Sequence, residues 1–181
     1  MAIRDILLYP EHSDVLTTEC DPVETVDDEV RQLVDDLAET MYDAPGIGLA
    51  APQIGVTKRV TVIDVSDPEQ PGGDLHVLIN PEILETSGTI TWEEGCLSFP
   101  GLYQEVERSE NVKVRATDRN GEQYELEAEG VLAVAIQHEV DHLDGILFLE
   151  RMSPLKRRLA RKDYKKIRAR MAEETSEDVE A

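Results

Sequence analysis

Cysteine is scarce in this 181-residue chain. Two residues, Cys20 and Cys96, are too few for a disulfide framework, and free thiols are expected. Long hydrophobic runs are also absent. Arg4 and Asp5 precede only a short apolar stretch, Ile6 to Tyr9, which suits neither a signal peptide nor a membrane span. These absences argue against a secreted disulfide scaffold and a helical membrane protein, and favour the cytoplasm. No internal repeat or low-complexity linker divides the chain. One domain, long enough to bury a real core, is the simplest organisation.

Basic residues are few outside one segment. The chain has 18 Lys and Arg against 39 Asp and Glu, a formal net charge of −21. Residues 151–170 hold 10 basic residues and one acid, Asp163, for +9, whereas residues 171–181 hold five acids and no base. Removing both contributions leaves −25 on residues 1–150. A basic helix on an acidic body suggests directed binding to a polyanion, or a solvated helix face packed against the protein's own acidic surface. The acidic body suits a protein that works in strong salt, because such a charge repels itself in dilute buffer.

Against this background one stretch carries chemistry. His138-Glu139-Val140-Asp141-His142 reads H-E-x-x-H. Residues four apart share a helix face, so both imidazoles can aim at one metal ion, with Glu139 beside them to handle the proton of an activated water. A catalytic site of this type usually has three protein ligands and an open position. The third is not a downstream histidine, because Phe148 stands where the longer peptidase motif would place it. Asp144 and Glu150 lie too close to His142, and His12 and His76 lack partner acids at ligand spacing. Cys96, in Glu94-Gly95-Cys96-Leu97-Ser98, remains. A thiolate suits a metal softer than calcium or magnesium, and by ligand type zinc is the default.

Gly46-Ile47-Gly48-Leu49-Ala50-Ala51-Pro52-Gln53 forms a second conspicuous run. It also satisfies the dinucleotide pattern G-x-G-x-x-A, but that pattern needs a strand before it and a helix after it. Here a helix precedes it, and Pro52 opposes a helix directly after it. A loop whose backbone meets a peptide, with Gln53 as its polar tip, fits better. Together, Gly46–Gln53, Glu94–Ser98 and Gln137–His142 resemble, in order, the three motifs of the peptide deformylases. The resemblance spans the chain up to the acidic tail.

The resemblance implies an α+β fold with mixed, mostly antiparallel strands around a central metal-binding helix, and a C-terminal helix. It implies hydrolysis of the formyl group from formyl-methionyl nascent peptides. Cys96, His138 and His142 would be the metal ligands and Glu139 the general base. Gln53, through its side-chain amide, and Leu97, through its backbone N–H, would stabilise the oxyanion. Ferrous iron is the implied metal, with nickel or cobalt able to replace it and zinc giving a poorer enzyme. The substrate-facing candidates are Gly46, Ile47, Gly48, Trp92, Glu94, Gly95, Val131, Val134 and Ala135. The last three fall within two turns of His138 on its side of the helix. A pairing of Glu94 with Arg108 would brace the metal loop. Because such enzymes act on chains emerging from the ribosome, Lys156, Arg157, Arg158, Arg161, Lys162, Lys165 and Lys166 are candidates for docking on ribosomal RNA. Neither DNA nor a membrane is an expected partner.

The expected layout is a helix over Asp27–Asp43, strands at Arg59–Val65, Leu75–Asn80 and Ile83–Trp92, and a turn-rich loop at Pro68–Asp74. A hairpin follows over Val112–Asp118 and Gln123–Ala128, because Asn120-Gly121 is a tight-turn signal. The histidine helix should cover Val131–Leu143, with Gly145 just past its end. Ile146 to Leu149 suggests a strand or a tight return. A last helix begins at Ser153-Pro154 and ends near residue 172, before a tail at 173–181 expected to be disordered. Two other functions compete. One is a zinc endopeptidase using the same motif. The other is a structural metal protein with Cys20 as a fourth ligand, although its polar neighbours suggest a surface loop.

Overall fold

The structure is a computed structural model describing residues 2–67 and 72–180, without the side chains of 176–180. Asp27 is extended, and its carboxylate accepts the Val30 N–H, which starts α2 at Asp28–Asp43. Val30, Leu33, Val34, Leu37 and Met41 form its buried stripe, at the spacing that makes a helix amphipathic. A single short turn, α1 (Ser13–Leu16), precedes it.

Among the described residues seven strands follow: β1 (Gly48–Ala50), β2 (Val60–Ile63), β3 (His76–Ser87), β4 (Ile90–Cys96), β5 (Phe99–Arg108), β6 (Asn111–Thr117) and β7 (Gln123–Glu129). β1-β2-β3-β6-β7 form one antiparallel sheet, and β4-β5 form a separate antiparallel pair. The histidine helix α3 spans Gly130–Leu143, and α4 spans Pro154–Glu180. β2 is buried on both faces. Val60 and Val62 pack with the α2 stripe, whereas Ile63 packs with Ile136 and Val140 of α3. The large sheet therefore lies between α2 and α3, and its alternating side chains serve two cores. A third core joins Phe99, Leu102 and Val106 of β5 to Phe148, Leu149, Ala160 and Tyr164. Tyr9 stacks on Phe99 at 4.8 Å, and the Tyr164 hydroxyl donates to the Tyr9 carbonyl at 2.7 Å, so both ends of the chain close on the segment after Cys96.

Several expectations change. The strands expected at Leu75–Asn80 and Ile83–Trp92 are divided differently. β3 runs through Pro81 by means of register shifts, and the break falls later, at Gly88 with φ +69°. Asn80, with φ +51°, bonds the Val23 N–H and carbonyl through its side chain, each at 2.8 Å, and so spares the ladder there. β5 was not expected. Ile146–Leu149 leads into a 3-10 helix, Phe148–Arg151, not a strand. Pro52 lies inside a 3-10 turn, Ala51–Ile54, because a first-turn proline lacks only a donor that the turn does not use. Cys20 is 4 % exposed, packed with Ala50 and Leu143, because its N–H donates to the Leu143 carbonyl at 2.8 Å. α4 continues to Glu180, through most of the segment expected as a disordered tail. Of the loop expected at Pro68–Asp74, residues 68–71 lie outside the described residues.

Candidate metal centre

α3 buries His138 and His142 one turn apart, with ring centroids 4.9 Å apart. β4 reaches them from the other side. Its pairing with β5 shifts register between Gly95 and Cys96, and the Cys96 Sγ lies 3.4 Å from the His142 Nε2. The two Nε2 atoms are 3.2 Å apart, and one ligand atom from each of the three residues falls within 4.8 Å of the others. A tetrahedral ion about 2.0–2.3 Å from each donor needs them roughly 3.3–3.6 Å apart. The cluster therefore fits a single ion with one position left open. Two imidazole nitrogens facing each other at this distance share either a proton or a metal ion.

The neighbours set the state of each ligand. Glu94 is 4 % exposed, and its Oε1 accepts from the His138 Nδ1 at 2.7 Å, which leaves Nε2 as the free lone pair. Arg108 grips the same carboxylate through Nε and Nη2 at 2.8 and 2.9 Å, so the expected pairing is present. Its Nη1 donates to Asp141 at 2.6 Å, and Arg151 donates to Asp141 as well. Burial alone would raise the Glu94 pKa, but the bonds from Arg108 and His138 outweigh it and lower it to about 2. Burial likewise opposes charge on His138, yet the contacts with Cys96 and Glu94 raise its pKa well above the ordinary value, so an ion bound at Nε2 would displace a proton there. His142 is held well below that value by burial and by the nearby charges of His138 and Arg108.

Glu139 lies beside the cluster, 5 % exposed. Burial raises its pKa to about 7, against the opposing charge of His138 and a bond from Thr61. A carboxyl so tuned can both accept and return a proton near neutrality. Gln53 is buried, not a polar tip. Its Oε1 accepts the Ala50 N–H at 3.0 Å, which turns the amide nitrogen toward Ser98 Oγ at 3.1 Å and Cys96 Sγ at 3.7 Å.

These groups open onto a cavity of about 440 Å³. Its walls include Gly46, Ile47, Gly48, Gln53, Trp92, Glu94, Gly95, Leu97, Val131, Val134, Ala135 and Glu139, so every substrate-facing candidate borders it. Val134 and Ala135 are buried, whereas Ile47 and Trp92 are 47 % and 40 % exposed and stand at its mouth. The Glu94 carboxylate is committed to Arg108 and His138. His12 and His76 lie elsewhere: His12 flanks α1, and His76 begins β3 beside Asp74. Cys20 stays outside the cluster among the described residues. Sequence reasoning missed Tyr103, an exposed aromatic on the cavity wall, and the Asp141–Arg151 end of the ion chain. Asp141 lies inside the third motif, but no periodic signal points to Arg151.

A family model described as polypeptide deformylase matches residues 3–158. The chain belongs to that family. A peptide deformylase of Alkalilimnicola ehrlichii is 53% identical over 167 residues, 92% of this chain and 92% of the relative. One from Thermodesulfovibrio yellowstonii is 51% identical over 165 residues, 91% of this chain and 98% of its own. The crystal structure of a peptide deformylase from Legionella pneumophila superposes with a TM-score of 0.86 at 46% identity, covering 94% of this chain and 98% of that one. The residues matched by the family model, 3–158, include the large sheet, the β4–β5 pair and α3.

Proposed function

We propose that this protein hydrolyses the N-terminal formyl group of formyl-methionyl nascent peptides and releases formate. The observation that carries this reading is the convergence of Cys96, His138 and His142 beside the buried Glu139, at a cavity that Cys96, His138 and Glu139 line. A divalent ion held by the three ligands would supply Lewis-acid activation of water and of the formyl carbonyl. Glu139 takes a proton from the attacking water and returns it to the departing amine nitrogen. The Gln53 amide nitrogen and the Leu97 N–H stabilise the charge that develops on the formyl oxygen. The methionine side chain enters the apolar wall of Val131, Val134 and Ala135. The peptide backbone lies between the edges at Gly46–Gly48 and Gly95, both of which line the cavity.

Formate release from a formyl-Met tripeptide tests this, using protein prepared without oxygen and loaded separately with ferrous iron, nickel and zinc. Iron and nickel should give fast release and zinc slower release, with none from the acetylated peptide and none from Glu139→Ala. Cleavage of an unformylated peptide instead would return the endopeptidase reading. The thiolate in the ligand set makes an iron-loaded site sensitive to oxygen.

We infer that the reaction takes place in the cytoplasm, where formyl-methionyl chains leave the ribosome. No helix among the described residues is long and apolar enough to cross a membrane. Six of the seven basic candidates on α4, namely Lys156, Arg158, Arg161, Lys162, Lys165 and Lys166, are exposed. Arg157 is not free, because its guanidinium donates to the Leu149 and Glu150 carbonyls. We infer that the exposed six dock on ribosomal RNA. Reversing three of them, Lys156→Glu, Lys162→Glu and Lys166→Glu, should abolish cosedimentation with ribosomes at low salt. Unchanged cosedimentation would sink the proposal.

A further inference from the structure

We propose that Thr61 is a positioning residue, holding Glu139 in the orientation that the reaction needs. Thr61 sits on β2 and is 0 % exposed. Val60 and Val62 turn toward α2, so Thr61 turns the other way, toward α3. Its Oγ1 lies 2.9 Å from the Leu49 carbonyl and 3.3 Å from the Glu139 Oε2. A hydroxyl has one proton, so Leu49 and Glu139 share it. Leu49 alone would satisfy a buried threonine. The second acceptor ties the strand to the carboxylate.

Gly48 closes the other side. A Cβ built there would lie 2.5 Å from the Glu139 Oε1 and 3.1 Å from its Cγ. The carboxylate therefore has β1 backbone against one oxygen and the Thr61 hydroxyl on the other. With Oε2 held, Oε1 is kept against Gly48, and both Gly48 and Glu139 line the cavity. Thr61 itself does not line the cavity, so it acts only through Glu139.

This inference rests on the deformylase reading. Thr61→Val keeps the shape and removes the hydroxyl, and Thr61→Ser restores the hydroxyl without the methyl. With metal-loaded enzyme and a formyl-Met tripeptide, Thr61→Val should lower kcat about tenfold and leave KM within about twofold, the loss expected for one bond to a charged group. Thr61→Ser should recover kcat to within about twofold of the parent. A kcat for Thr61→Val equal to that of the parent, or a fall in Thr61→Ser as deep as in Thr61→Val, overturns the proposal. Should Thr61→Val not fold, Thr61→Ala set against Thr61→Ser gives the same comparison. Crystal structures of parent and Thr61→Val supply a second readout: Oε2 should leave its place, and an unmoved carboxylate also overturns the idea. If the parent releases no formate, the deformylase reading falls, while the crystal structures still decide whether Thr61 holds Glu139.

Discussion

Arg108 is the residue on which the metal ligands depend most indirectly. It is 6 % exposed and bridges Glu94, which orients His138, to Asp141 on the same helix. Arg108→Met would leave two buried carboxylates short of a partner. The expected result is a loss of about 3–5 kcal/mol in urea unfolding, with metal affinity weakened about 10–100-fold. Metal content after dialysis measures the second effect. An unchanged unfolding midpoint with full metal retention would show that the ion chain is dispensable. The ligands and Glu139 were legible from the sequence because helical spacing is local and each motif names its own residues. The Glu94–Arg108 pairing was legible only as a supposition. Arg151 was invisible, because its reach to Asp141 depends on the 3-10 turn that carries the chain back over α3.

Among the elements, α2 was predictable because its apolar periodicity and terminal residues agree, and α3 because its two histidines are spaced one turn apart and Gly145 stands just past its end. The β6–β7 hairpin was equally plain, and Gly121 takes the positive φ of its turn, +87°. β5 was not read, because its partner β4 shifts register at Cys96 and its charged residues mask the alternation. The end of α3 shows how far a local signal extends. Gly145 has φ +72°, as a helix-terminating glycine should, but the structure adds a second demand: a Cβ there would stand 2.6 Å from the Thr17 carbonyl oxygen. Gly145→Ala should therefore cost at least about 2 kcal/mol, more than the left-handed backbone alone. Urea unfolding checks this, and a loss below about 0.5 kcal/mol would mean that the segment at Thr17 moves away freely.

Charge is a property of the whole molecule. The net −21 repels itself at low ionic strength, while most of the α4 cations face solvent and do not neutralise the acidic body. The melting temperature should climb by several degrees as potassium chloride is raised from about 0.1 M to about 2 M, because screening removes that repulsion. A flat profile would show that the acids are spaced widely enough not to matter. The same molecule-wide view explains Cys20. Its polar neighbours suggested a surface loop, but the chain passes beneath Leu143 and buries the thiol, where desolvation first and foremost raises its pKa to about 11.

The sequence by itself determined the chemistry: two histidines with a glutamate beside them on one helix, a thiol in a glycine-flanked segment, and an amide at the end of the Gly46–Gln53 motif. The histidine pair depends on helical periodicity, and the roles of the thiol and the amide on resemblance to the deformylase motifs; both signals are local in sequence. The tertiary structure alone decided that Cys96 meets His142 across 46 residues, that Glu94 spends its charge on Arg108 and His138, and that Thr61 lies against Glu139. Those contacts arise from packing one sheet between two helices and bending β4 over the result. No spacing within a strand or helix encodes the distance between two of them.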